Sequence, residues 1–103
     1  MISVTFYKNG NGFSGFELKG HSDYAEEGYD IVCSAVSSAA YLTANNITDF
    51  FNIKADVTVS DGYMKLTSEK SDNLNRLIDG FYQHTLSLQE QYKNDINVKI
   101  SEV

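Results

Sequence analysis

Two turn signals divide this chain more firmly than anything else in it: Asn9-Gly10-Asn11-Gly12 and Asp61-Gly62, each set between alternating apolar and polar residues. Before the first, Ile2, Val4 and Phe6 alternate with polar residues; after it, Phe13 to Lys19 extends again with Phe16 and Leu18 on one face. Around the second, Ala55 to Ser60 alternates through Val57 and Val59, and Tyr63 to Thr67 returns. Glycine supplies positive-φ turn positions, and a period of two sends alternate side chains to one face, so each stretch is predicted as a β-hairpin.

The segments between and after the hairpins change period. Asp30 to about Asn46 lacks glycine and proline, and Ile31, Ala35, Ala39 and Leu42 fall at helical spacing, so a helix is predicted to begin near Asp30 and to be closed by Asn45-Asn46 and the change of period near Phe51 to Ile53. Ser71 or Asp72 can cap a second, longer helix whose apolar stripe is Leu74, Leu77, Ile78, Phe81, Leu88 and Tyr92. Ile96, Val98 and Ile100 then alternate as a closing strand. The expected order is ββαββαβ: an α+β two-layer sandwich, with both helices covering one face of a mostly antiparallel sheet. At 103 residues, 42% hydrophobic and 13% aromatic, the chain fits one domain, residues 1–103, around one core. The small residues of the first helix, Ser34, Ala35, Ser37, Ser38, Ala39 and Ala40, suit close packing.

Composition narrows the function classes. A formal charge of -6, with the eight Lys and Arg scattered singly, repels a phosphate backbone, so no nucleic-acid binding is expected. An acidic surface does favour encounter with a basic protein or peptide. No run of 18 apolar residues occurs, and the first ten residues turn polar by Lys8, so neither a membrane span nor a secretory leader is expected and the reading is cytoplasmic. His84 has no second ligand at metal spacing, so no metal is expected.

The chemistry concentrates on the single cysteine, Cys33, which cannot form an intramolecular disulfide. It follows the polar segment Gly20-His21-Ser22-Asp23-Tyr24-Ala25-Glu26-Glu27-Gly28-Tyr29-Asp30-Ile31-Val32. If Asp30 is the N-cap, Cys33 occupies the first helical turn, where unpaired N–H groups and the helix dipole favour a thiolate. The Cys33 N–H could then also face an oxyanion. His21, at a strand end across the loop, is the candidate base, with Gly20 and Gly28 as hinges. Ser37 lies one turn beyond Cys33 and could support the sulfur, while Asp30 could cap the helix or orient His21. Taken singly, these residues read as a solvated histidine, an ordinary cap, a packing serine and a buried structural thiol; their arrangement around one cysteine favours chemistry.

Gly20-His21, Tyr24-Ala25-Glu26-Glu27-Gly28 and Asp30-Ile31-Val32-Cys33 followed by Val36-Ser37 closely resemble the signature of the ribosomal-processing cysteine protease (Prp) family of Gram-positive and related bacteria. Ser34 departs from the pattern, where alanine is expected. The resemblance implies a homodimeric endopeptidase, without a cofactor, that removes the N-terminal extension of large-subunit ribosomal protein twenty-seven. It also implies that Cys33 is the nucleophile and His21 the base, that Asp30 and Ser37 belong to the site, and that residues 22–29 form a loop that reorders around substrate. Two competing readings are a non-enzymatic assembly factor that binds a ribosomal protein, with Cys33 structural, and a thiol redox sensor. The second lacks a resolving cysteine within the chain.

Overall fold

The computed structural model describes residues 1–20 and 29–103. The elements run in the order β1 (Ile2–Asn9), β2 (Gly12–Lys19), α1 (Tyr29–Asn45), a π-helical turn (Asn46–Phe50), β3 (Asp56–Ser60), β4 (Tyr63–Thr67), α2 (Asp72–Gln91) and β5 (Ile96–Glu102). The ββαββαβ order and the α+β class are as expected. The five strands form one sheet in the order β3-β4-β2-β1-β5. Every pairing is antiparallel except β1 with β5, which runs parallel and joins Ile2 to Ile96.

The first hairpin holds an irregularity that alternation did not foretell. The register shifts between Tyr7 and Lys8, which face Gly15 and Phe13, leaving Ser14 as the extra residue of a bulge. The shift turns both Phe13 and Phe16 into the core, although three positions separate them. Gly15 then lies so close to β4 that a methyl group there would run into the Leu66 carbonyl oxygen.

Inward residues Ile2, Val4 and Phe6 of β1, Phe16 and Leu18 of β2, and Met64 and Leu66 of β4 build one core with the helices. Phe6 anchors it: its ring meets Phe81 at 5.4 Å, Tyr82 at 5.1 Å and Phe13 at 5.9 Å, and Phe16 meets Phe81 at 5.0 Å. Edge-to-face pairs of this kind contribute about 1 kcal/mol each beyond their buried area. They fix α2 above β1 and β2. Met64 and Leu66 are fully covered while Ile100 of β5 is exposed, which places α1, packed beside α2, over the β4 side.

Both helix boundaries carry information. Ser71 caps α2, its Oγ accepting the Leu74 N–H at 3.2 Å. Within the stripe of α2, position 85 is a buried threonine that satisfies itself by donating to the Phe81 carbonyl at 2.7 Å. The first α-helix ends at Asn45, as expected, and the chain passes directly into the π turn. Ile47, fully buried, continues the stripe of Val36, Ala40 and Ala44 and keeps the chain coiled past both asparagines. Asn52 ends it at φ 52, a left-handed conformation that asparagine tolerates. Among the described residues no helix is long and apolar enough to cross a membrane.

Candidate active site

The site begins where β2 ends. Gly20 has φ +95, which a side chain rarely adopts, and a Cβ there would meet the Met1 carbonyl oxygen. The described part of this segment ends at Gly20, whose N–H donates to the Gly62 carbonyl at 3.2 Å. His21 and Gly28 lie outside the described residues.

α1 starts at Tyr29, two residues ahead of where a cap at Asp30 would set it. Asp30 is thus the second residue of the helix and Cys33 the fifth. In that register the Cys33 N–H falls to the Tyr29 carbonyl, so the free donors at this end of the helix precede Val32. The backbone of Cys33 is not an oxyanion donor here, in contrast to the reading that put it in the first turn.

Cys33 is 9% exposed and belongs to the core cluster, so its sulfur is largely covered. Ser37 follows one turn later on the same flank, with Oγ buried and without a hydrogen-bond partner. That is unusual for a helical serine, which can bond the carbonyl four residues back as Thr43 does to Ala39 at 2.7 Å. Ser34 is exposed, pointing away from the sulfur's flank.

At 100° per residue, Cys33, Ser37 and Tyr41 share one flank of α1, while Ala35, Ala39, Leu42 and Asn46 line the groove toward α2. The Cys33 flank therefore faces away from α2. Tyr41, 45% exposed, continues this flank at the i, i+4, i+8 spacing from Cys33. His84 is exposed and lies on the far groove with Arg76, Leu77 and Leu88, apart from Cys33. Among the described residues no cluster of three His, Cys, Asp or Glu side chains could hold a metal.

A second polar cluster occupies the other face of the sheet. The Tyr63 hydroxyl donates to Glu17 Oε2 at 2.8 Å, Lys19 lies 3.6 Å from Glu17, and the Lys65 ammonium stands 5.2 Å from the Tyr7 ring centre. The hydrogen bond to Glu17 holds the Tyr63 hydroxyl above its ordinary value of 10.0, and burial followed by the Glu17 charge does the same for Tyr7. The sheet separates these groups from Cys33.

Comparison with known proteins converges on one family. A family model described as cysteine protease Prp matches residues 1–97. The chain is similar to the ribosomal processing cysteine protease Prp of Bacillus subtilis, 26% identical, the match covering 95% of this chain and 96% of the relative. It is 22% identical to the Staphylococcus aureus protein of the same name, over 95% and 97%. Among solved structures, SMU.848 from Streptococcus mutans superposes with a TM-score of 0.89 at 27% identity, covering 100% of this chain and 96% of the other. The Staphylococcus aureus protease Prp bound to a substrate peptide superposes with a TM-score of 0.90 at 22% identity, covering 98% and 100%.

Proposed function

The chain belongs to the cysteine protease Prp family, and from that premise we propose that it is a ribosomal processing endopeptidase whose residues 1–103 act as one protease domain. Its substrate is the N-terminal extension of large-subunit ribosomal protein twenty-seven, in keeping with the ribosomal processing named for its relatives. The observation that carries the site assignment is the chain's single cysteine with a buried, unpartnered hydroxyl one turn away on the same flank of α1.

In this reading His21 takes the Cys33 proton and the thiolate attacks the scissile carbonyl carbon. The His21 imidazolium then gives its proton to the leaving amine, the peptide C–N bond breaks, and a thioester remains. Water, deprotonated by His21, attacks the thioester, releasing the carboxylate product and returning the thiol. Ser37, free of other bonds, turns its hydroxyl toward the sulfur; Asp30 orients His21 from the first turn of α1. Gly20 and Gly28 let the intervening loop close over substrate. The covered sulfur fits this sequence, since a sheltered thiol is kept from adventitious oxidation.

The protein acts in the cytoplasm as a homodimer, without a cofactor. Its test is direct: purified protein with the extended ribosomal protein yields one shorter product, and the Cys33→Ala variant yields none. Equal cleavage by Cys33→Ala would end the thiol mechanism.

A further inference from the structure

β3 is an outer strand of the sheet, and all its residues are exposed. Ser60 faces Tyr63 across the two-residue turn Asp61-Gly62, so the hydrogen-bonded pairs with β4 fall at Ser60, Thr58 and Asp56. The N–H and C=O groups of Val57 and Val59 therefore point away from the sheet. Their side chains stand opposite Leu66 and Met64, on the helix-covered face, yet remain 43% and 49% exposed because the helices stop short of this edge.

Natural edges are blunted by lysine, proline or a bulge. β3 has none of these: its sequence is Asp-Val-Thr-Val-Ser and its register is uninterrupted. The other edge, β5, carries Lys99 and Glu102. The unguarded edge is also level with the site. Lys19, where β2 ends, pairs with Tyr63, and Tyr63 pairs with Ser60, so the end of β3 lies at the end of the sheet from which the chain departs toward α1. The flank bearing Cys33, Ser37 and Tyr41 is the side of α1 turned away from α2.

We propose that β3 binds the extended part of the substrate as an added strand, backbone to backbone at Val57 and Val59, and so delivers the scissile carbonyl toward Cys33. This rests on the protease reading above. Charge selects the occupant. Asp56 and Asp61 bracket the free backbone groups, and β3 itself holds no cation, which complements a basic peptide. A second copy of β3, paired antiparallel about Thr58, would set each Asp56 beside the other's Ser60-Asp61, acid against acid.

The test uses isotope-labelled Cys33→Ala protein and a synthetic peptide carrying the ribosomal extension, with amide hydrogen exchange read at each residue. Binding slows exchange at Val57 and Val59 by about tenfold or more and leaves Thr58, already bonded to β4, unchanged. In otherwise native protein, Val57→Pro with Val59→Pro removes the two outward N–H groups while sparing the ladder, and raises KM for the peptide by about tenfold. Alkylation of Cys33 by iodoacetamide at an unchanged rate shows that this variant remains folded. Cleavage by the wild-type protein with no change at Val57 and Val59 overturns strand addition alone; absence of cleavage by the wild type overturns the protease reading first. Protection at Val57 and Val59 without peptide, rising with protein concentration, assigns the edge to a second copy instead and also overturns the proposal.

Discussion

Ser37 stands one helical turn from Cys33 with its Oγ buried and bonded to nothing, although the carbonyl of Cys33 is within the reach such serines ordinarily use. A buried hydroxyl without a partner costs about 1–3 kcal/mol, so this one is held in place at the expense of stability. Ser37→Ala is expected to leave the melting temperature unchanged or slightly raised while lowering kcat on the extended substrate about tenfold, as one lost charge-assisted hydrogen bond would. Thermal unfolding and steady-state kinetics check both halves. A fall in stability with unchanged kcat would make the serine a packing residue.

Cys33→Ala and His21→Ala are each expected to abolish processing, a loss of about 1000-fold or more for members of one nucleophile–base pair. Their effects on folding should differ. Cys33 lies in the core, so its truncation costs about 1 kcal/mol through a small cavity, measurable by urea unfolding. A double variant no slower than either single one would show the two residues acting as a unit.

The same change at two glycines should have opposite signs. A methyl on Gly15 meets the Leu66 carbonyl of β4, so Gly15→Ala is expected to cost about 2 kcal/mol by forcing the strands apart. Gly80 lies inside α2 with open space around its Cβ position, so Gly80→Ala should add about 0.5–1 kcal/mol by restricting the unfolded chain. Chemical denaturation of the two variants side by side reads both.

On the outer face, Tyr63 holds its proton more tightly when folded than when unfolded, through its hydrogen bond to Glu17. The contribution is present in full below the unfolded tyrosine value of about 10 and is lost as pH rises through the higher folded value. Tyr63→Phe should therefore flatten the alkaline fall in stability above about pH 10, without affecting activity at neutral pH. An unchanged alkaline limb in urea melts would assign that fall to Tyr7 or other groups.

Much of the architecture is legible locally. Alternation about the two glycine turns yields both hairpins, and the stripe from Leu74 to Tyr92 yields α2, because these patterns need only near neighbours to be read. The bulge at Ser14 is not, since it arises from two strands adjusting to bury Phe13 and Phe16 together. Nor is the π turn after α1: the α-helix ends at Asn45 as the asparagines signal, but the burial of Ile47 keeps the chain coiled beyond it. At the site, Cys33 and Ser37 follow from spacing on one helix. The covering of the sulfur does not, because it depends on the core cluster that α1 joins, which lies beyond the helix's own sequence.

The parallel pairing of Ile2 with Ile96 means that β1, the first strand made, gains its second neighbour only when the last one arrives. Until then the nascent hairpin keeps a bare border, and the five-strand platform beneath Cys33 is incomplete. Maturation of the enzyme is thereby tied to closure of a circuit spanning nearly the whole polypeptide, a slow, long-range event compared with forming either hairpin. Loss of β5 would accordingly leave a sticky, half-built sheet rather than a smaller working protease.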